Sequence, residues 1–191
     1  MILEGIVTTV SPGGAVNIAP MGPSMDAMPD SFVLRPFPTS QTCQNLIALG
    51  EGVLHVTDDV LLLARAALGA VEPAPPLVPA AKVRGFVLSD ACRYYEFQVR
   101  NIDTTQPRAR IDARVVHHGR FRDFFGFNRA KHAVVEAAIL ATRTAFLPLG
   151  EIEAEFQKLG VIVGKTGGPQ ETVAFQLLQE HVRRVAAQDS R

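Results

Sequence analysis

Hydrophobic and polar residues alternate along much of the first two thirds of the chain, most regularly in Tyr94–Ile102 and Arg108–Val116. A period of two is typical of strands that bury one face of a sheet. The strands predicted in this way are Ile2–Val10, Ala15–Ala19, Phe32–Arg35, Val53–Val56, Val83–Leu88, Tyr94–Ile102 and Arg108–Val116. Hairpin-like links between them predict a largely antiparallel sheet that curls into a barrel.

Proline and glycine mark the expected ends and interruptions of these strands. Pro20 should end the second strand, and Met21–Asp30, with two prolines and a glycine, should form a loop. Glu72–Pro79 contains four prolines. Because proline lacks a backbone donor and has a fixed φ, we expect that segment to be an irregular surface connection.

The hydrophobic period lengthens to that of a helix in the last third of the chain. Helices are expected from Asn128 onward, around Ile152–Leu159 and after Gly167–Pro169, in addition to Thr39–Leu49 and a helix from Asp59 to Leu68. The predicted class is α+β, mainly β. A barrel domain would span residues 1–125, and a C-terminal helical extension, residues 126–191, would pack on it.

Composition narrows the function classes. The 191 residues are 47% hydrophobic and only 20% charged, with a net charge of zero. A net charge of zero gives no attraction to nucleic acid or to an anionic membrane. No apolar run reaches the roughly 18 residues needed to span a bilayer, and no signal peptide is visible. We therefore expect a cytoplasmic protein whose extra apolar surface is buried by oligomerisation. Cys43 and Cys92 should be reduced core residues, and we expect no metal site.

The sharpest chemical signal lies where the third strand passes into a helix. Arg35 is followed by a proline-rich turn and by Thr39, Ser40 and Thr42, with no carboxylate among them. Free N–H groups at a helix start attract anions, and a guanidinium can bind phosphate through two hydrogen bonds. These residues predict a phosphate site. The alternative is that Thr39 only caps the helix and Arg35 is solvated.

A second helix start breaks the usual charge preference. Asn128 is a good N-cap, yet Arg129 and Lys131 follow it in the first turn, where cations oppose the helix dipole. An anionic ligand would reverse the sign of this effect. The alternative is that Glu136, or a carboxylate elsewhere in the chain, neutralises the two cations.

The segments Asn17–Gly22, Phe32–Phe37 and Thr39–Thr42 together resemble the flavin-reductase-like, FMN-binding split barrels. With Gly126–Ile139, nearly the whole chain resembles one uncharacterised archaeal and bacterial branch of that superfamily. The resemblance implies a six-stranded antiparallel split β-barrel that forms a homodimer, with FMN bound at the interface between subunits.

The resemblance also assigns residues. The FMN phosphate would be held by Arg35, Thr39, Ser40 and Thr42. The flavin ring would lie along Asn17, Ala19, Pro20 and Met21. A second anionic group, belonging to FMN, to the substrate or to the partner subunit, would lie near Asn128, Arg129 and Lys131.

The family pattern supplies no catalytic residue, because in such proteins the flavin carries the redox chemistry. It implies an oxidoreductase with NAD(P)H as a transient donor and a small heterocyclic or pterin-like acceptor, associated with tetrahydromethanopterin-linked one-carbon metabolism. The alternatives are a non-catalytic FMN or pterin carrier or sensor, and a structural dimer without flavin.

Overall fold

The computed structural model describes residues 1–25 and 30–189. It divides into two compact units. The barrel unit consists of Met1–Thr57 and Pro75–Phe124, and the helical unit consists of Asp58–Ala74 and the chain from Phe125 onward. Residues 58–74 thus group with the C-terminal helices, whereas the sequence prediction divided the chain once, after residue 125.

The barrel unit is built on a seven-stranded sheet. Its elements are β1 (Gly5–Val10), β2 (Val16–Met21), β3 (Ser24–Met25), β4 (Ser31–Leu34), α1 (Gln41–Leu49), β5 (Glu51–Val56), β6 (Leu77–Pro79), β7 (Phe86–Leu88), β8 (Arg93–Asp103) and β9 (Arg110–Arg120). The order in the sheet is β2-β1-β5-β8-β9-β4-β3, and β6 pairs separately with β7. Every pairing is antiparallel, as predicted.

The sheet has seven strands where six were expected, and the additional strand is β3. It lies in the segment that the sequence analysis assigned to a loop, and Gly22 and Pro23 separate it from β2. The N–H of Leu3 donates to the carbonyl of Pro23 at 3.1 Å, and the N–H of Met25 donates to that of Met1 at 2.9 Å. The segment that leads into β1 therefore bonds to the opposite edge of the sheet and curls it into a barrel. Residues 26–29, part of the same predicted loop, lie outside the described residues.

Two proline-based predictions were wrong. Pro20 does not end β2, which continues to Met21 with Pro20 opposite Ile6. In the described residues β2 lies at an edge of the sheet, where a missing N–H on the outer side costs no ladder bond. Residues 77–79 form β6 although Pro79 is among them. Pro79 is the last residue of this three-residue strand in a two-stranded sheet, so it interrupts no longer ladder.

The barrel encloses an apolar core. Phe97 and Phe32 meet edge to face with their ring centroids 5.1 Å apart, among buried residues that include Val7, Leu34, Leu46, Leu54 and Ile111. Cys43 and Cys92 are buried and do not form a disulfide with each other. Burial raises the pKa of the Cys43 thiol.

Residues 80–88 cover part of the outer face of the sheet. Beneath them the fully buried carboxylate of Glu96 accepts the N–H groups of Ala81, Lys82 and Val83 at 2.8, 2.6 and 3.2 Å. Buried His55 accepts the N–H of Leu88 through Nε2 at 3.1 Å. Its Nδ1 therefore carries the proton and donates to the carbonyl of Ile6, also at 3.1 Å. Burial lowers the pKa of His55 to about 4, so the ring is neutral at pH 7.

The helical unit contains α2 (Val60–Ala67), α3 (Arg129–Ala141), α4 (Leu149–Thr166) and α5 (Pro169–Asp189). The predicted apolar stripe of α3 is buried from Ala130 to Ala141. The helix α4 is longer than predicted, because the helix continues through Gly160. A Cβ at Gly160 would lie 3.4 Å from the ring of Phe175, so the glycine allows close packing against α5. None of the described helices has both the length and the apolar composition needed to cross a bilayer.

Candidate functional site

The start of α1 has the local structure that the sequence suggested, with one correction. The capping residue is Ser40 and not Thr39: the Ser40 hydroxyl accepts the N–H of Cys43 at 3.2 Å and donates to the carbonyl of Phe37 at 2.7 Å. Thr39 is exposed beside it. The turn after β4 thus delivers the chain into the helix with two hydroxyls at its entrance.

The donors at this corner are not used by the chain itself. Arg35 is exposed, and within the described residues its side chain forms no hydrogen bond or ion pair. In the same part of the chain the N–H groups of Gln41 and Thr42, the first two of α1, have no acceptor. The first turn of α1 holds no acidic residue. The corner therefore presents a guanidinium and two helix N–H groups with no carboxylate among them, which is an arrangement suited to an anion.

Thr42 has a different position from the one the resemblance implied. Its side chain is buried, and its hydroxyl accepts from Nδ2 of Asn17 at 3.0 Å. This bond joins two segments that were both assigned to the site, α1 and β2. Only the backbone N–H of Thr42 lies at the helix start, while its hydroxyl holds the helix against the strand.

Three further polar residues, which were not predicted from the sequence, extend this connection. The buried hydroxyl of Thr9 accepts from Nδ2 of Asn45 at 2.9 Å, and Asn17 lies 3.4 Å from the same oxygen. Oδ1 of Asn45 in turn accepts from Nε2 of Gln41 at 2.7 Å. Gln41 and Asn45 are four residues apart, so they share one face of α1. The polar side chain of Asn45, on the face of α1 that otherwise carries buried residues, was the one sign of this network in the sequence.

A second arginine also lies at this corner. The Arg108 guanidinium stacks over the ring of Phe37, 4.2 Å from its centroid, and Nη1 donates to the carbonyl of Arg35 at 3.3 Å. No local pattern points to Arg108, because it lies more than seventy residues away from Arg35 along the chain. Its charge adds to the positive potential beside Arg35.

The segment Asn17–Met21 forms most of β2 and is half-buried. In the described part of the chain β2 pairs only with β1. Backbone groups of successive strand residues point to alternate sides, so on the open side the carbonyl of Pro20 is free to accept from a ligand, whereas Ala19 and Met21 on either side of it face β1.

The start of α3 carries two cations, Arg129 and Lys131, behind the cap residue Asn128. Asn128 caps the helix by accepting the N–H of Lys131 at 3.1 Å, and its Nδ2 donates to the carbonyl of Thr166 at 3.1 Å. Arg129 is exposed and forms no ion pair within the described residues. The cap prediction is confirmed.

Lys131 is neutralised within the helical unit. Its Nζ lies 2.8 Å from Oε1 of Glu171, and these side chains are 16% and 9% exposed. Nζ also donates to the carbonyl of Asp58 at 2.7 Å and to Oε1 of Gln170 at 3.2 Å. Burial alone would raise the pKa of Glu171, but hydrogen bonds from Lys131 and the Gly168 N–H outweigh it and lower that pKa. The structure thus favours the second alternative for Lys131, with Glu171 as the carboxylate instead of Glu136.

No cluster of three histidine, cysteine or acidic side chains suited to a metal occurs in residues 1–25 and 30–189. His117 and His118 lie next to each other on β9 and contact different tyrosine rings, Tyr94 and Tyr95. This separation matches the opposite directions expected of adjacent strand residues.

Comparison with solved structures defines the class of fold. An FMN-bound protein from Methanosarcina mazei superposes with a TM-score of 0.82 at 24% identity, covering 94% of both chains. The styrene monooxygenase flavin reductase of Pseudomonas putida S12 gives a TM-score of 0.53 at 13% identity, covering 63% of this chain and 82% of the reductase. An FMN-binding protein from Thermus thermophilus with bound 1-cyclohex-2-enone gives 0.52 at 16%, covering 62% and 70%. The fold is the split barrel of the flavin-reductase-like proteins.

The family follows from the sequence. The family described as protein of unknown function (DUF447) matches with its N-terminal domain over residues 3–122 and with a second segment over residues 128–180. The chain belongs to the DUF447 family, to which the Methanosarcina mazei protein is also assigned. Comparison with curated protein sequences gives no match.

Proposed function

We propose that this protein binds FMN and places the FMN phosphate at the start of α1. The observation that carries the proposal is the open corner formed by the exposed Arg35 and the unpaired N–H groups of Gln41 and Thr42. A phosphate there would accept from a helix N-terminus and from a guanidinium, both of which bind phosphate in many proteins. Supporting it, relatives with the same fold are described as FMN-bound and FMN-binding.

Each assigned residue has a role that its contacts allow. Arg35 would bind two phosphate oxygens, and the exposed hydroxyl of Thr39 would donate to a third. Ser40 would act through its cap, since its hydroxyl already donates to Phe37. Thr42 would contribute its backbone N–H. The flavin ring would extend along the open edge of β2, where Asn17, Ala19, Pro20 and Met21 lie.

The second helix start contributes less to this proposal than the first. Arg129 is exposed and available to an anionic group of FMN, of the substrate or of a partner subunit. Asn128 would act as the helix cap that directs the first turn. Lys131, whose charge Glu171 neutralises, would support Arg129 by holding α3 in place.

The proposed reaction class is an oxidoreductase. FMN, when bound, supplies the redox chemistry, and the protein supplies binding and orientation. NAD(P)H would act as a transient donor and a small heterocyclic or pterin-like molecule as acceptor, in line with the tetrahydromethanopterin link implied by the family. The similarity in fold to a flavin reductase supports this class.

We further propose that the protein is a cytoplasmic homodimer. Support for association comes from large apolar side chains left exposed on the helical unit. Phe125, Phe127 and Phe146 are 88%, 95% and 75% exposed. Isolated exposed apolar residues are ordinary, but large groups of them mark interfaces.

The proposal is tested by Arg35→Ala, with Arg93→Ala, an exposed arginine of the same unit, as the matched control. Because a charged phosphate contact is worth about 1.5–3 kcal/mol, we expect FMN affinity to fall roughly 10- to 150-fold in Arg35→Ala only. Flavin fluorescence titration measures this. Equal affinities in the two variants would remove Arg35 from the site.

Binding and turnover are separated by a second measurement. Anaerobic addition of NADPH to the FMN-loaded protein should bleach the flavin absorbance, and a pterin-like acceptor should restore it. A flavin that binds but stays oxidised with both NADH and NADPH would support the carrier or sensor function in place of the enzyme.

A further inference from the structure

The outer face of the barrel sheet is covered over only part of its area. Residues 80–88 pack over Val53 and Glu96. Further along β8 and β9 the same face carries Arg100, Arg110 and Arg114, which line a cavity of about 620 Å³ together with residues of β3 and β4. That volume lies within the usual range of small-molecule sites, roughly 300–1,000 Å³.

The charges in this cavity are incompletely balanced. Arg110 pairs with Asp112 at 2.7 Å. Arg100 and Arg114 are exposed, and in the described part of the chain neither forms an ion pair or a side-chain hydrogen bond. Asp30 is the second carboxylate among the described lining residues, which therefore comprise three arginines and two aspartates. An unpaired pair of guanidiniums in a cavity favours an oxyanion ligand.

The backbone supports this arrangement independently. Val99 pairs with Ala113 and Asn101 with Asp112, so β8 has one extra residue there, which is Arg100. Val99 and Ile102 both pack towards the core, and Arg100 lies between them on the outer side. A bulge of this kind redirects a side chain and is common beside binding sites. It places Arg100 beside the register positions of Ala113 and Asp112 on the neighbouring strand, which lies about 4.8 Å away. Arg114, which pairs with Gln98, is the next residue of that strand after Ala113.

We propose that this groove, named here the arginine groove and formed by Arg100, Arg110 and Arg114 with Asp112 and Ser31, binds a small phosphate-bearing molecule. Arg100 and Arg114 contact its phosphate oxygens from adjacent strands, and the Ser31 hydroxyl, opposite Arg114 on β4, donates to the same group. The proposal does not depend on FMN binding at Arg35.

Inorganic pyrophosphate is the probe, and Arg35→Ala is the background, so that the corner at α1 does not contribute. In that background we make two double variants. The groove pair combines Arg100→Ala with Arg114→Ala, and the control pair combines Arg84→Ala with Arg93→Ala, at two exposed arginines outside the groove. Calorimetric titration at low ionic strength should show at least a tenfold loss of affinity with the groove pair and less than a twofold loss with the control pair.

Three outcomes would overturn the proposal. The first is a dissociation constant for pyrophosphate above about 10 mM, which corresponds to a weak nonspecific contact. The second is an equal loss in both pairs, which would indicate only net charge. The third is that the groove pair binds pyrophosphate as the background protein does but sediments with a different mass. That result would show the face to be an interface between protein chains. Thermal unfolding checks that the variants fold.

Discussion

The starts of α1 and α3 look alike in the sequence and differ in the structure. Both follow a short connection, both lack an acidic residue in the first turn, and both carry donors suited to an anion. At α1 these donors stay open, with Arg35 exposed. At α3 the central cation, Lys131, is nearly buried against Glu171.

The difference shows two ways in which donors at a helix start are arranged. One is a set of donors that the chain itself leaves unused, as at α1. The other is a cation whose partner comes from a distant segment: Glu171 follows Lys131 by forty residues and lies in the first turn of α5. Glu171 also accepts the Gly168 N–H and so occupies the N-terminus of α5 itself. The same carboxylate serves one helix start and neutralises the cation of another.

The largest test of this comparison is Glu171→Gln. Removing one partner of a nearly buried ion pair leaves the other charge uncompensated, so we expect the free energy of unfolding to fall by about 3 kcal/mol. Urea denaturation measures the change. Glu180→Gln, at an exposed position of the same helix, is the control and should change stability by less than about 0.5 kcal/mol.

The double variant Lys131→Met with Glu171→Leu sharpens the result. It removes both charges at once, so it should be more stable than Glu171→Gln by at least about 1 kcal/mol. If Glu171→Gln unfolds like the wild type, the ion pair contributes nothing, and Lys131 is available to a ligand in the way that Arg35 is.

The second test uses pH. The pKa of Glu171 is lowered from its ordinary 4.5 in the folded protein, so the unfolded chain binds the proton more readily. The stability contributed by this group is present above pH 4.5 and is lost as pH falls through the lower folded value. We therefore expect the gap in unfolding free energy between wild type and Glu171→Gln to narrow below pH 4.5.

His55 does not disturb this comparison. Because burial lowers its pKa to about 4, the folded protein loses stability from about pH 6.5 downward, but it does so equally in both proteins and cancels in the difference. A gap that stays constant down to pH 3 would contradict the role given to the Glu171 carboxylate.

The smallest expected changes in unfolding free energy come from removing the two helix caps, Ser40 and Asn128. Ser40→Ala should cost about 0.5–1 kcal/mol, since one cap bond is lost at a half-buried position. Asn128→Ala should cost about 1–2 kcal/mol, because Asn128 also donates to Thr166 at 3.1 Å. Urea denaturation of the two variants gives the order. The reverse order would mean that the start of α1 contributes more to folding than its open donors suggest.

Much of the fold could be predicted from local periodicity. The alternation in β8 and β9 and the alanine stripe of α3 are set by which face of an element is buried, and a short window of sequence contains that information. The strand β3 could not be predicted, because its two residues, which follow a proline, are too few to show a period. It forms because Leu3 and Met25 find partners across the barrel.

The unused donors at the start of α1 were predictable from the sequence, because Arg35 and the helix start lie in one short segment. Contacts made across the chain were not predictable: Arg108 over Phe37, Lys131 with Glu171, and the buried hydroxyl of Thr42 against Asn17. In each case the residue type was compatible with both solvent and a partner, and only tertiary packing decides between them. The arginine groove depends on an extra residue in β8, which no pattern of side chains records.

The assignment of residues 58–74 to the helical unit has a consequence for how this molecule can be taken apart. The chain leaves the barrel unit after Thr57, contributes α2, returns at Pro75 and leaves again at Phe125. Removal of everything after residue 125 would leave α2 without the helices it packs against. Its side chains that are buried in the intact protein would then face water: Val60, Leu63, Ala64 and Ala66. The two units are interleaved along the chain, so an isolated barrel unit would require three cuts, after Thr57, before Pro75 and after Phe124, and a new join between Thr57 and Pro75.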